Sequence, residues 1–178
     1  MCYKTVIGLV LGLAGVAAAQ EPGGFPGERM VTATAGVGNA MGWFGVQGER
    51  YFLDEWISIF AGVGYTPRMD RGEPDGPTFA AGVRSFTSGM KHRLFLEASA
   101  SQLVSTSEGA LSGGRYYGPG LQFGYQFVSR GGFTLMTSLG LGYALGVPRT
   151  LDPWAAQVGV GLGYTWRRKY MTGGRRTM

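Results

Sequence analysis

Ala156-Gln157-Val158-Gly159-Val160-Gly161-Leu162-Gly163-Tyr164-Thr165-Trp166 alternates without a break. Ala156, Val158, Val160, Leu162, Tyr164 and Trp166 are apolar, and small or polar residues fill every position between them. A period of two is the pleat of a β-strand whose two faces differ in chemistry. Eleven residues in that conformation, tilted, are long enough to cross the hydrocarbon of a bilayer.

The same pattern recurs upstream over 31–37, 43–52, 56–66, 78–87, 94–103, 119–129 and 133–146. Val31, Ala33, Ala35 and Val37 oppose Thr32, Thr34 and Gly36; Ile57, Ile59, Ala61, Val63 and Tyr65 share one face; so do Leu121, Phe123, Tyr125 and Phe127. Residues 53–55, 88–93 and 130–132 read as short turns, whereas 67–77 and 104–118 are long, rich in Pro, Gly, Ser or charge, and cannot continue a ladder. If both termini lie on one side, all the short turns at even positions face that side and the two longest loops face the other. That asymmetry is expected of a transmembrane barrel. The predicted fold is all-β: an eight-stranded antiparallel up-and-down transmembrane β-barrel over 31–166.

Upstream, Lys4, an apolar run over 6–16 and Ala17-Ala18-Ala19 before Gln20 match a secretory signal cleaved near Ala19. The run is shorter than the ~20 residues of a membrane-spanning helix; an uncleaved anchor is the competing reading. The expected organisation is a signal peptide over 1–19, a periplasmic segment over 20–30, the barrel, and a basic tail over 167–178. Cys2, the only cysteine, lies in the signal, which excludes disulfides, thiol catalysis and cysteine metal sites from the mature chain.

The net charge of +5 is matched by Arg167, Arg168, Lys169, Arg175 and Arg176 alone. Nucleic-acid binding would need basic residues spread over a folded face among aromatics. The tail reads instead as a solvated extension, with contact to anionic headgroups or cell-wall polymers as the alternative.

Alternation does not say which face is wet. A soluble ligand-binding barrel alternates too, but its outer face carries Lys, Glu and Asp. Here the polar faces are nearly all Gly, Ser, Thr and Gln, so an apolar exterior and a packed interior fit better. An Arg or Lys turned to lipid at the midplane would cost roughly 2–4 kcal/mol.

The charges that do fall in mid-strand share the polar parity. If the fourth and fifth strands form a hairpin about Met90-Lys91, Arg84 lies opposite Glu97, and the two are predicted to form a structural ion pair inside the barrel. Glu49 is a further lumen charge, which turns Arg50 outward. Tyr65, Tyr143, Tyr164 and Trp166, on the apolar face near strand ends, are the expected interfacial aromatics.

Catalytic and metal chemistry find little support. His92 is the sole histidine, so a Ser-His-acid site would have to use it with Ser88 and Glu97 from a turn. Asp70, Glu73 and Asp75 in the 67–77 loop fit no calcium-loop spacing, and Arg68 and Arg71 compete. Catalytic residues, metal and cofactor are therefore none.

Gly-x-Gly-Tyr occurs at 62–65, 140–143 and 161–164. With the signal, the eight alternating segments and the Gly-x-Gly-Tyr-x-aromatic ending, the chain over 31–166 resembles the small outer-membrane β-barrel family, which includes the transmembrane domain of outer-membrane protein A and the OmpX-type proteins. Twelve residues follow Trp166, so Tyr164 and Trp166 would serve the family's terminal aromatic signal internally. The resemblance implies a cell outer-membrane protein, monomeric, in contact with lipid and lipopolysaccharide, without cofactor. The family hosts adhesins, anchors, narrow pores and lipid-modifying enzymes. The leading expectation is a non-enzymatic structural or surface-interaction role with a plugged lumen; the alternatives are a lipid-modifying enzyme, a narrow pore and a soluble ligand-binding barrel.

Overall fold

The computed structural model describes residues 28–38, 41–53, 55–67, 76–87, 91–103, 116–148 and 152–169. Eight strands run through them: β1 (Glu28–Gly38), β2 (Gly42–Phe52), β3 (Ile57–Thr66), β4 (Gly76–Phe86), β5 (His92–Leu103), β6 (Tyr116–Val128), β7 (Phe133–Tyr143) and β8 (Trp154–Lys169). Each pairs antiparallel with its neighbours in sequence, and β8 closes on β1. The predicted closed eight-stranded antiparallel barrel is what forms.

The register fixes its shape. From Glu49 the paired row runs through Phe60, Gly82, Ser99, Gly120 and Gly142 to Ala155 on β8; in the other direction it runs through Thr32 to Thr165. The row therefore returns to β8 displaced by ten residues, from Ala155 to Thr165. Ten residues round eight strands set a tilt of about 40° and an interior that side chains alone can fill. The β2–β3, β4–β5 and β6–β7 connections mark one end of the barrel (the turn end), together with the start of β1 and the end of β8. The opposite end is the loop end.

The boundaries differ from expectation at both margins. β1 begins at Glu28 and β8 runs to Lys169, with Glu28 opposite Lys169, Arg29 opposite Arg168 and Met30 opposite Arg167. Residues 167–169 are thus paired strand, not the start of a tail. Loss of the apolar face marks the edge of the apolar belt, whereas the backbone ladder needs only a partner. β4, β5 and β6 likewise start earlier than expected, and β7 stops at Tyr143. Beyond it, the Ala144 and Leu145 N–H groups donate to the Pro153 and Tyr117 carbonyls at 2.8 and 2.9 Å. The predicted signal peptide over 1–19, the 20–27 segment, Asp70, Glu73, Asp75, Ser88, Arg175 and Arg176 lie outside the described residues.

The two faces are inverted relative to a soluble protein. Val63, Leu139 and Val158 are 60%, 65% and 57% exposed, while Ser58, Gln126, Thr134 and Gln157 are fully buried. Burial of apolar surface gains about 25 cal/mol per Å² in water, and this barrel forgoes it over its whole girth. Close packing inside depends on glycine at particular places: a Cβ at Gly124 would overlap the Phe95 ring, and one at Gly64 would overlap the Met41 carbonyl. Met41, at the end of the first connection, is accordingly buried over the lumen at 1% exposure.

Candidate functional site

The inward parity of β2, β4 and β5 carries Glu49, Arg84 and Glu97 to one point. Arg84 and Glu97 are direct register partners. The Arg84 Nε donates to Glu97 Oε2 at 2.8 Å, and its Nη2 lies 2.7 Å from the same oxygen. Arg84 Nη1 sits 3.1 Å from Glu49 Oε2, an ionic contact without hydrogen-bond alignment, and Nη2 donates to Gln47 Oε1 at 3.2 Å. All three charged groups are 2–3% exposed. The guanidinium also lies over the Phe60 ring, 4.1 Å from its centroid, and 5.0 Å from that of Phe95. One cation thus neutralises two carboxylates while aromatic faces replace the rest of its hydration.

The remaining carboxylate oxygens are also held. Gln122 Nε2 donates to Glu97 Oε1 at 3.0 Å and accepts through Oε1 from Ser138 at 2.8 Å. Tyr51 donates to Glu49 Oε2 at 2.8 Å, and Ser58 donates to Oε1. Gln126 Nε2 then donates to the Tyr51 hydroxyl at 3.0 Å while its Oε1 accepts from Arg93 Nε at 2.7 Å. Arg93 reaches Glu55, in the β2–β3 turn, at 3.2 Å and lies 4.6 and 4.5 Å from the ring centroids of Tyr51 and Phe86. Thr32, Thr165 and Thr134 form a hydroxyl chain of 2.7 and 2.6 Å that ends on the Gly132 carbonyl. Burying an ion without such partners costs several kcal/mol.

Arg93, Glu55, Tyr51 and Gln126 were not foreseen. Arg93 falls in β5 rather than in the turn predicted over 88–93, and its parity with Glu97 four residues on is the sequence signal for it. Glu55 comes from a turn, where alternation says nothing.

Allowing for the tilt, this network occupies the half of the lumen nearer the turn end. The other half is lined by Thr66, Thr78, Ala80, Ser99, Ser101 and Gln157 with several glycines, and is capped by Leu103, Ala144 and Ala155. There the Thr66, Thr78 and Ser99 hydroxyls and Gln157 Oε1 are buried with no protein partner.

His92 and Glu97, five residues apart on β5, face opposite sides: Glu97 is in the lumen, whereas His92 is exposed on the outer wall, where Nδ1 meets the Tyr125 hydroxyl. They cannot cooperate as base and acid. Arg50 is exposed with its guanidinium 5.3 Å from the Phe52 ring centroid. The four aromatics fall on the outer wall in two groups. Tyr65 stacks on Phe44, and Tyr143 meets Trp154 edge-on, toward the loop end; Tyr164 and Trp166 lie 5.0 Å apart toward the turn end.

A closed barrel of eight tilted strands, polar within and apolar without, is now complete. The architecture is a closed eight-stranded antiparallel barrel with an apolar outer wall. Three solved structures match the chain at low similarity. Ail, the attachment invasion locus protein of Yersinia pestis, matches with 14% identity and a TM-score of 0.46, over 80% of this chain and 100% of that one. Ail in complex with the heparin analogue sucrose octasulfate matches with 16% identity and a TM-score of 0.43, with the same coverage. Neisserial surface protein A (NspA) matches with 13% identity and a TM-score of 0.42, over 80% and 96% of the two chains. Likenesses this distant carry no inference about binding or activity. No protein-family model matches the chain, and no curated protein matches it.

Proposed function

We propose that the protein is an integral outer-membrane β-barrel, non-enzymatic, with a structural or surface-interaction role and a lumen closed by Arg84, Glu49 and Glu97. One observation carries the reading: large apolar side chains such as Leu139 and Val63 cover the outer wall, while charged and amide groups fill the inside. Only hydrocarbon makes that distribution favourable, and a closed barrel leaves no backbone edge unsatisfied in lipid. The signal-like start supports export, and the short turns favour a turn end in the periplasm. Lipid surrounds the belt, lipopolysaccharide the loop end, and the absence of a free sheet edge favours a monomer.

Electrophoresis in SDS with and without boiling tests this. The unboiled protein should migrate apart from its denatured form, and a single unchanged band refutes the reading. A narrow pore is the second reading, favoured by the partnerless hydroxyls of the loop-end half. Planar-bilayer recordings separate the two: the wild type should be nearly silent. A lipid-modifying enzyme would have to use His92, and any lipid-processing activity that survives His92→Ala removes that residue from consideration.

A further inference from the structure

A groove of about 240 Å³ opens at the turn end, between the 129–132 turn and the last part of β8. Ser129, Arg130, Tyr164, Trp166 and Arg167 line it, with Gly131 and Gly132 between. The turn is fixed in place: the Thr165 N–H donates to the Gly132 carbonyl at 2.7 Å, and the Ser129 N–H to that of Phe133 at 2.8 Å. Gly132 has a φ of +94°, and a Cβ there would press on the Tyr164 ring.

Three properties of this groove converge. Among the described residues, its lining contains two arginines, Arg130 and Arg167, both exposed. Trp166 and Tyr164, 53% and 44% exposed, form its aromatic wall. The groove also begins where the apolar stripe of Val158, Val160 and Leu162 ends, and Leu162 continues sideways onto Leu135 of β7.

We propose that the groove binds the phosphate headgroup of an anionic glycerophospholipid. Arg130 and Arg167 take the phosphodiester, the Tyr164–Trp166 pair flanks the glycerol, and the acyl chains lie along Leu162 and Leu135. Pockets that enclose a whole small ligand run from roughly 300 to 1,000 Å³; a smaller groove suits a headgroup whose chains stay outside. Arginine's planar donor fork suits phosphate oxygens. The site deepens the membrane-spanning reading and rests on it.

The test uses the full barrel folded into phosphatidylcholine vesicles containing a minor fraction of phosphatidylglycerol with brominated acyl chains. Quenching of tryptophan fluorescence is compared with that from the same fraction of brominated phosphatidylcholine, and Trp166→Phe identifies the reporting residue. Phosphatidylglycerol should be enriched at Trp166 severalfold, and Arg130→Gln and Arg167→Gln should each remove about fivefold, as expected for ~1 kcal/mol per basic residue at an anionic surface. Equal quenching by the two lipids overturns the site, and so does abolition of the preference by millimolar inorganic phosphate. The wild-type comparison decides even if a variant does not insert. Failure of the wild type to insert, seen as unchanged gel mobility on boiling, sinks the membrane reading instead.

Discussion

The two halves of the lumen are built on different principles. Toward the turn end, Arg84, Arg93, Glu49 and Glu97 are set among Phe60, Phe86, Phe95 and Tyr51, and both carboxylates are held by hydrogen bonds and ionic contacts. Toward the loop end, Ser, Thr, Ala and Gly line the wall, and the Thr66, Thr78 and Ser99 hydroxyls have no protein partner. The barrel's cross-section is set by strand number and register and is the same in both halves. Side-chain volume alone therefore decides where the tube is shut. The charged groups fill the turn-end half, and the small residues of the loop-end half are closed over by Leu103, Ala144 and Ala155.

The largest expected effect breaks the first half. Arg84→Ala leaves two buried carboxylates facing each other and should cost about 3–5 kcal/mol, read as a lower urea midpoint for unfolding in vesicles. The same variant should raise single-channel conductance, and unchanged conductance would move the barrier elsewhere. Next comes packing: Gly124→Ala forces a methyl group into the Phe95 ring and should lose about 1–3 kcal/mol.

A matched pair of threonines then sharpens the contrast. Thr165→Val interrupts the Thr32–Thr165–Thr134 chain and should cost about 1–2 kcal/mol, whereas Thr78→Val removes a partnerless hydroxyl and should be neutral or slightly stabilising. Equal losses at both sites would erase the distinction. The mildest probe is chemical. Cys2, in the predicted signal, is the only native thiol, so Leu139→Cys and Ser58→Cys each report one face of the wall. A small polar thiol reagent added to the barrel in detergent should modify the former, which is 65% exposed, and spare the latter, which is fully buried.

Much of this was legible from alternation. The strand faces, barrel closure and the Arg84–Glu97 pairing all follow from a period of two and one symmetric hairpin. Arg84 to Glu49 is different in kind. Those residues belong to β4 and β2 with β3 between them, and they meet only because closure brings inward side chains across a narrow lumen. Arg93 was hidden by a strand boundary drawn two residues late. Met41 sits in a connection, where alternation cannot show that the chain folds inward. The 167–169 extension is not visible in the alternation, because the polarity of Arg167-Arg168-Lys169 marks only the end of the apolar stripe, not of the ladder.

The β1–β8 seam has a kinetic consequence. Its partners, such as Glu28 and Lys169, are about 140 residues apart in sequence, so it must be among the last contacts to form. Until it does, both edge strands carry unpaired amides and carbonyls, each costing several kcal/mol in hydrocarbon. Partly assembled forms thus have no resting place within the bilayer. Insertion should proceed as one concerted event, and a chain shortened by a single strand at either end should be a substrate for proteolysis, not a smaller barrel.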